Sequence, residues 1–251
     1  IGGAINIITD KRSLKNKNNT IKLFKSSFNT SSSVYEYTNK FNEINFKNYF
    51  SHFVSDGYRD ENEQKNNNLV SEIKFPHDKG FHFLSLNFNE QLMSTPSDRS
   101  QVELYLDRKG SDTPDDYINS IGGSLLYSSD FKLNNKNKIL VNASVRLKNS
   151  KSDLQSTNFP SHSDTSLENY QFSPRINKLQ SFGKKELSSV YGVDFQFARY
   201  SSDRKKNKFV APLHVYDAHQ LVQSLYSQHN LEFTDRLSLG TGIRFERNFI
   251  Y

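Results

Sequence analysis

Seven histidines, a trio of aspartates and a few arginine–tyrosine pairs carry whatever reactive or coordinating chemistry this sequence holds. His52, His77, His82, His162, His214, His219 and His229 are scattered, and none falls into His-Glu-x-x-His or a comparable metal spacing. His214 and His219 stand five positions apart, which puts them on opposite faces of any strand holding both. A loop histidine such as His162 could ligate haem iron. In "GSDTPDDY", Asp112, Asp115 and Asp116 offer oxygens to a hard cation but lack the spacing of a calcium loop, so a solvated acidic loop is the plainer reading. "FGKKE" has no upstream glycine at phosphate-loop spacing, and Gly-x-Ser-x-Gly is absent. No enzyme, metal site or cofactor is expected. Ligand contact is expected instead from Tyr58, Arg59, Arg99, Tyr105 and Arg108, which combine aromatic faces with forked cations. The bland alternative gives the same residues to loop packing and to an aromatic girdle.

What must hold such residues follows from composition and periodicity. Only 34% of the 251 residues are hydrophobic, and the mean hydropathy is −0.75, which raises the question of disorder. Against it stand 20 Phe and 13 Tyr spread along the chain and a net charge of only +6. Lys and Arg are interleaved with Asp and Glu, and the densest basic run, "DRKKNK" at 203–208, reads as a solvated loop, so no nucleic-acid partner is expected. Cysteine is absent, which excludes disulfide scaffolds and thiolate metal sites. No run of apolar residues is long enough for a transmembrane helix.

The informative signal is alternation with a period of two. Leu237, Leu239, Thr241, Ile243 and Phe245 share one face of a strand whose other face carries Ser238, Gly240, Gly242, Arg244 and Glu246. Ile139, Val141, Ala143, Val145 and Leu147 do the same within 138–147, and Leu187, Tyr191, Val193, Phe195 and Phe197 within 186–200. Weaker versions near 20–28, 33–40, 44–54, 66–75, 81–90, 119–129, 168–178 and 216–233 bring the expected number of strands to about eleven. Connections alternate short and long: "NEI", "PHDKG", "KLNNKN", "QSFGKK" and "TD" against "SDGYRDENEQK", 91–118, 148–167 and 201–215. A soluble sandwich has no reason to collect its long loops at one end, whereas an outer-membrane barrel does so by construction of its two aqueous sides. Strands of about ten residues, tilted near 45°, project to roughly 23 Å, close to the apolar band of such barrels. Lipid offers no hydrogen bonds to a bare sheet edge, so the expected fold is an all-β transmembrane antiparallel barrel, here partial.

The opening "IGGAINIITDKR" resembles the last strand of the plug domain in TonB-dependent outer-membrane receptors. "SDGYRDENEQKNNNL" is similar to that family's second extracellular loop and following strand, and "SLYSQHNLEFTDRLSLGTGIRFE" to its recurrent barrel hairpin. The resemblance implies a plug end over residues 1–12 and, over 13–251, the N-terminal half of the barrel, about 11 strands of about 22 surrounding a plugged lumen. It further implies a protein of the outer membrane of a Gram-negative bacterium, monomeric when complete and in contact with outer-membrane lipid. Such a protein takes up a scarce solute, above all a ferric siderophore or related iron complex, with haem or cobalamin as variants. Energy would come from TonB through an N-terminal box that this sequence lacks. The sequence is therefore expected to be a piece of a longer protein. Two rivals remain: a passive porin-like channel, which shares the wall but not the plug, and a soluble glycan-binding β-protein.

Overall fold

The computed structural model describes residues 18–155, 161–183, 185–234 and 237–251. The expected plug strand over 1–12 lies outside the described residues, as do Lys184 of "FGKK" and Asp235 of the Thr-Asp turn. Eleven strands run in chain order: β1 (Asn18–Lys25), β2 (Ser31–Phe41), β3 (Ile44–Ser55), β4 (Gln64–His77), β5 (Gly80–Ser94), β6 (Tyr117–Asn134), β7 (Asn137–Leu154), β8 (Ser161–Phe182), β9 (Lys185–Lys205), β10 (His214–Thr234) and β11 (Leu237–Ile250). One short helix, α1 (Gln101–Leu106), interrupts the connection between β5 and β6. Each strand pairs antiparallel with the next in a single sheet, and β1 and β11 form its two edges among the described residues.

Register fixes the two faces. Residues directly opposite one another share a face, and the pairing carries Leu239 of β11 across Leu231, Leu187 and their neighbours without a slip through β9. Following the pairs, Ile139, Val141, Ala143 and Val145 of β7 join Phe131, Ser129, Tyr127 and Leu125 of β6 and Ile176, Pro174, Phe172 and Tyr170 of β8. The same face reaches Phe50 of β3, Tyr35 of β2 and Ile21 of β1. It is an apolar belt across all eleven strands. The opposite face is polar, with Ser144, Gln171 and Gln196 behind the centre of the belt.

No hydrophobic residue among those described is buried, while Leu125, Phe172, Phe195, Leu225 and Phe245 are all more than 40% exposed. Among the described residues there is no two-layer interior of the kind a soluble glycan-binding sandwich requires: the alternate apolar residues of 138–147 and 237–245 lie on one face of one sheet. A belt this wide, bare of protein, calls for hydrocarbon as its cover.

Local chemistry holds the wall in register. At the turn end, β2–β3, β4–β5 and β6–β7 are joined by two residues each, at 42–43, 78–79 and 135–136. Gly80 opens β5 at φ +151, where a Cβ would sit 1.8 Å from the Asp130 carbonyl oxygen, so only glycine fits. On the polar face Tyr226 lies over Gly192, where a Cβ would meet its ring at 2.4 Å, an aromatic side chain covering a bare stretch of backbone.

Strand length departs from expectation. β6 and β7 have 18 residues each, β8 has 22, and β9 and β10 have 21 each. Twenty-odd residues tilted near 45° project to roughly 50 Å, about twice the apolar band. The expected loop 148–167 is therefore mostly strand standing beyond the belt, and the expected loop 201–215 is strand over 201–205 and 214–215. Apolar alternation fails there because water lies on both faces, yet the backbone ladder continues, stitched by hydroxyl pairs: Ser120–Ser150 (2.9 Å), Ser152–Ser163 (2.9 Å) and Thr165–Ser202 (3.1 Å).

Because Ala143 sits mid-belt and Ser144 faces the other way, Ala143→Arg in the complete protein should destabilise the barrel by about 2–4 kcal/mol. Ser144→Arg should cost little by comparison. Urea titration of the protein folded into lipid vesicles measures both, and equal costs would contradict the assignment of faces.

Candidate functional site

The longest connections gather at one end of the sheet, opposite the two-residue turns. They are 56–63 between β3 and β4, 95–116 between β5 and β6, and 206–213 between β9 and β10. The first two are knitted together. Asp60 donates its N–H to the Lys109 carbonyl at 2.8 Å, Arg59 Nη2 donates to the Gly110 carbonyl at 2.9 Å, and Ser94 N–H donates to Glu63 at 2.8 Å. Within 95–116, α1 begins at a reciprocal cap: Glu103 N–H donates to Ser100 Oγ, and Ser100 N–H donates to the Glu103 carboxylate at 2.6 Å. Arg99 closes the loop, reaching the Asp107 carboxylate at 3.3 Å, its carbonyl at 3.1 Å and Asp112 at 3.5 Å.

The expected contact residues divide on this frame. Arg59 and Arg99 converge on the turn at Gly110, where an added Cβ would lie 2.2 Å from Arg99 Nη1. The Arg99 side chain is only 10% exposed, so both cations hold the loop instead of standing open to a ligand. Tyr58 packs edge-on against Phe28, with ring centroids 5.6 Å apart, and remains half exposed. Tyr105 is 89% exposed on α1, and Arg108 is exposed just beyond it. Tyr105 and Arg108 thus share the tip of one braced loop.

Histidines and acids stay dispersed. His162 is the second residue of β8 and not a loop residue; its Nδ1 lies 3.8 Å from the buried Asp153 carboxylate. His52 bonds Asn67 at 2.6 Å, His82 bonds the Tyr127 hydroxyl at 2.9 Å while stacking on His77, and His229 lies between Ser189 and Ser227. His219 lies 3.3 Å from Asp217, and His214 stacks on Tyr216. Asp112 pairs with Arg99, Asp116 is buried and accepts the Gln155 N–H, and Asp115 is exposed, so the three do not converge on one point. No group of three metal-binding side chains occurs among the described residues.

Sequence reasoning missed a second feature, on the polar face where the strands stand beyond the belt. Register places Lys148 of β7 opposite Leu167 of β8, and Leu167 opposite Tyr200 of β9. Arg146 precedes on the same face, and Arg204 follows opposite His214 of β10. The clue was present: the parity that puts Arg146 behind Val145 continues through 154, had the strand been followed past the end of its apolar residues.

No family model matches the sequence, and no curated protein matches it. Solved structures do match the fold. The pyoverdine outer-membrane receptor FpvA from Pseudomonas aeruginosa PAO1, bound to pyoverdine, superposes with a TM-score of 0.80 at 11% identity over 96% of this chain and 42% of its own. The siderophore receptor PiuA from Acinetobacter baumannii gives 0.76 at 11%, over 96% of this chain and 44% of that one. The unliganded ferric citrate transporter FecA gives 0.72 at 13%, over 90% and 36%. The chain therefore spans less than half the length of these structures.

Two acids tie loop order to pH. The Ser100 hydroxyl and N–H hold the Glu103 carboxyl below its ordinary 4.5, and the N–H groups of Lys109 and Gly110, with Arg99 behind them, hold Asp107 below its ordinary 3.8. Carboxyls depressed by folding stabilise the loop fully above their ordinary values, and that support is lost as pH falls through the lowered ones. Proteolysis within 95–116 should accordingly be slow at pH 7 and rise as the pH falls below the ordinary 4.5 and 3.8 of these two carboxyls. Ser100→Ala should raise the cleavage rate at pH 7 about fivefold, the loss of one N-cap.

Proposed function

Starting from a wall that shares the fold of siderophore-receptor barrels, we propose that this chain belongs to an outer-membrane receptor for active uptake of an iron complex, a ferric siderophore first among them. In this reading residues 13–251 are part of the barrel, residues 1–12 end a plug that fills it, and TonB supplies the energy through a segment outside this sequence. The observation that carries the reading is a single sheet whose apolar face has no cover among the described residues and whose long connections all rise from one end. That geometry needs a membrane around it and an outside for the loops to face. The neighbours in fold are receptors and transporters, not enzymes.

Residue roles follow from the loop frame. Tyr105 and Arg108 present an aromatic face and a forked cation at the exposed tip, suited to a flat, anionic chelate, and Tyr58 adds a second aromatic surface. Arg59 and Arg99 act through position, by fixing the turn at Gly110.

Uptake of radiolabelled iron from ferric siderophores, by a receptor-deficient Gram-negative host making the complete protein, tests the proposal. Accumulation should stop when the inner-membrane proton gradient is collapsed. A flux indifferent to that gradient would identify a passive channel instead. Arg108→Ala and Tyr105→Ala should each weaken binding of the transported chelate about two- to fivefold, the range for exposed cation and aromatic contacts. Unchanged affinity in both variants would remove these residues from the site.

A further inference from the structure

The apolar belt is interrupted near the turn end of β8–β11. Register sets Lys178 of β8 opposite Ser189 of β9, Ser189 opposite His229 of β10, and His229 opposite Thr241 of β11. This polar row stands on the lipid-facing side between two apolar ones. Ile176, Tyr191 and Ile243 lie above it, and Leu187, Leu231 and Leu239 below. Ionisable groups at such positions are costly unless something answers them.

Hydrogen bonds answer part of the row. His229 Nδ1 lies 2.9 Å from Ser189 Oγ and Nε2 lies 2.7 Å from Ser227 Oγ, with Tyr191 edge-on to the ring at 5.4 Å. Ser189 is wholly buried, so its hydroxyl is satisfied by donating to Nδ1. Nε2–H then donates to Ser227, whose own proton is left for an acceptor outside the wall. The exposed Thr241 stands beside it.

Charge points the same way. On the lipid-facing side, the carboxylates of the described strands are Glu90, Asp153, Asp164, Glu168, Asp203 and Asp217, all toward the loop end. Glu72, Asp130, Glu186 and Glu232, nearer the turns, stand on the polar face. Lys178 and Lys185 are both exposed on the lipid-facing side, Lys185 with its ammonium 5.1 Å from the Phe233 ring centroid. The turn end of this side therefore carries cations and no strand carboxylate. Ser189 is the fifth residue of β9, which at a 45° tilt puts the row roughly 9 Å above the turns. Headgroups occupy about the outermost 5–7 Å of each bilayer face, so the row lies near the boundary with hydrocarbon, the level of lipid glycerol esters.

We propose that this notch docks a phosphoglyceride of the periplasmic leaflet. Lys178 and Lys185 hold its phosphate through charge-assisted hydrogen bonds, their stems lying along the apolar rows. Ser227 and Thr241 donate to the ester carbonyls, and the acyl chains run up over Tyr191 and Ile243. The inference rests on hydrocarbon covering this face and on which end carries the loops. It does not rest on uptake, and a passive channel with this wall would hold the same lipid.

The sequence contains no cysteine, so a single fluorescent label reads the notch. Ile243→Cys, directly above it, carries a bimane in the complete protein, on a background free of other cysteines. Phe50→Cys is the control, because Phe50 is the seventh residue of β3 on the same face, as Ile243 is the seventh of β11. Each is reconstituted into vesicles of digalactosyldiacylglycerol, which has no phosphate, doped with phosphatidylglycerol brominated in its acyl chains. Quenching at 243 should report the brominated lipid enriched about fivefold or more over its bulk fraction, the contribution of one lysine at an anionic surface. Quenching at 50 should match the bulk fraction. The enrichment should vanish in Lys178→Gln/Lys185→Gln and persist in Lys138→Gln, which neutralises a cation of the polar face. Equal quenching at the two positions, or an enrichment that survives the double variant, would overturn the proposal. Absence of quenching at 243 at every lipid content would overturn it too, since another part of the protein or a second copy would then cover the notch. The readout needs no transport, so it stands apart from the gradient test.

Discussion

An eleven-stranded sheet whose described residues include no buried apolar side chain lacks, in water, the term that ordinarily offsets chain entropy. Every other feature follows from how that deficit is met. Hydrocarbon must cover the belt, the belt must keep strict alternation, and no backbone group may be left bare at membrane depth. Alternation is accordingly cleanest in β7, β9 and β11, and the register slips only at the turn ends of β6–β7 and β10–β11, clear of the apolar band. Low mean hydropathy is a consequence of this arrangement, since only every second strand residue has to be greasy.

Beyond the belt the constraint relaxes and a different chemistry takes over. The same ladder continues through β6–β10, now joined side to side by serine and threonine hydroxyls, with ion pairs on one face and unpaired cations on the other. The result is a rigid polar rampart in place of long flexible loops. Where true loops occur, they are braced: Arg59 and Arg99 converge on Gly110, and a capped turn of helix lifts Tyr105 to the surface.

Much of this was legible before any coordinates. The apolar residues of 138–147, 187–197 and 237–245 announced their strands and their common face, and the spacing of connections announced which end carries the loops. What could not be read was the continuation of strands into water, because periodicity disappears when neither face is apolar and serine-rich strand resembles serine-rich loop. Helix α1 was missed for the opposite reason. Six residues hold no apolar stripe, although Ser100 and Glu103 stand at the spacing of a capping box. Arg59 and Arg99 read as ligand contacts because an arginine in a loop looks alike whether it grips a backbone carbonyl or waits for a chelate. Only the Gly110 carbonyl and the Asp107 and Asp112 carboxylates tell these uses apart.

Accessibility of spin labels at adjacent residues on β7 tests the central claim most directly. With Val145→Cys and Ser144→Cys labelled in lipid-reconstituted protein, relaxation by dissolved oxygen should dominate at 145 and relaxation by a water-soluble nickel chelate at 144. That two-residue alternation should persist from 139 to 147. Labels at 145 that respond to nickel, or neighbours that respond alike, would mean that hydrocarbon does not cover this face, and the membrane wall would have to be abandoned.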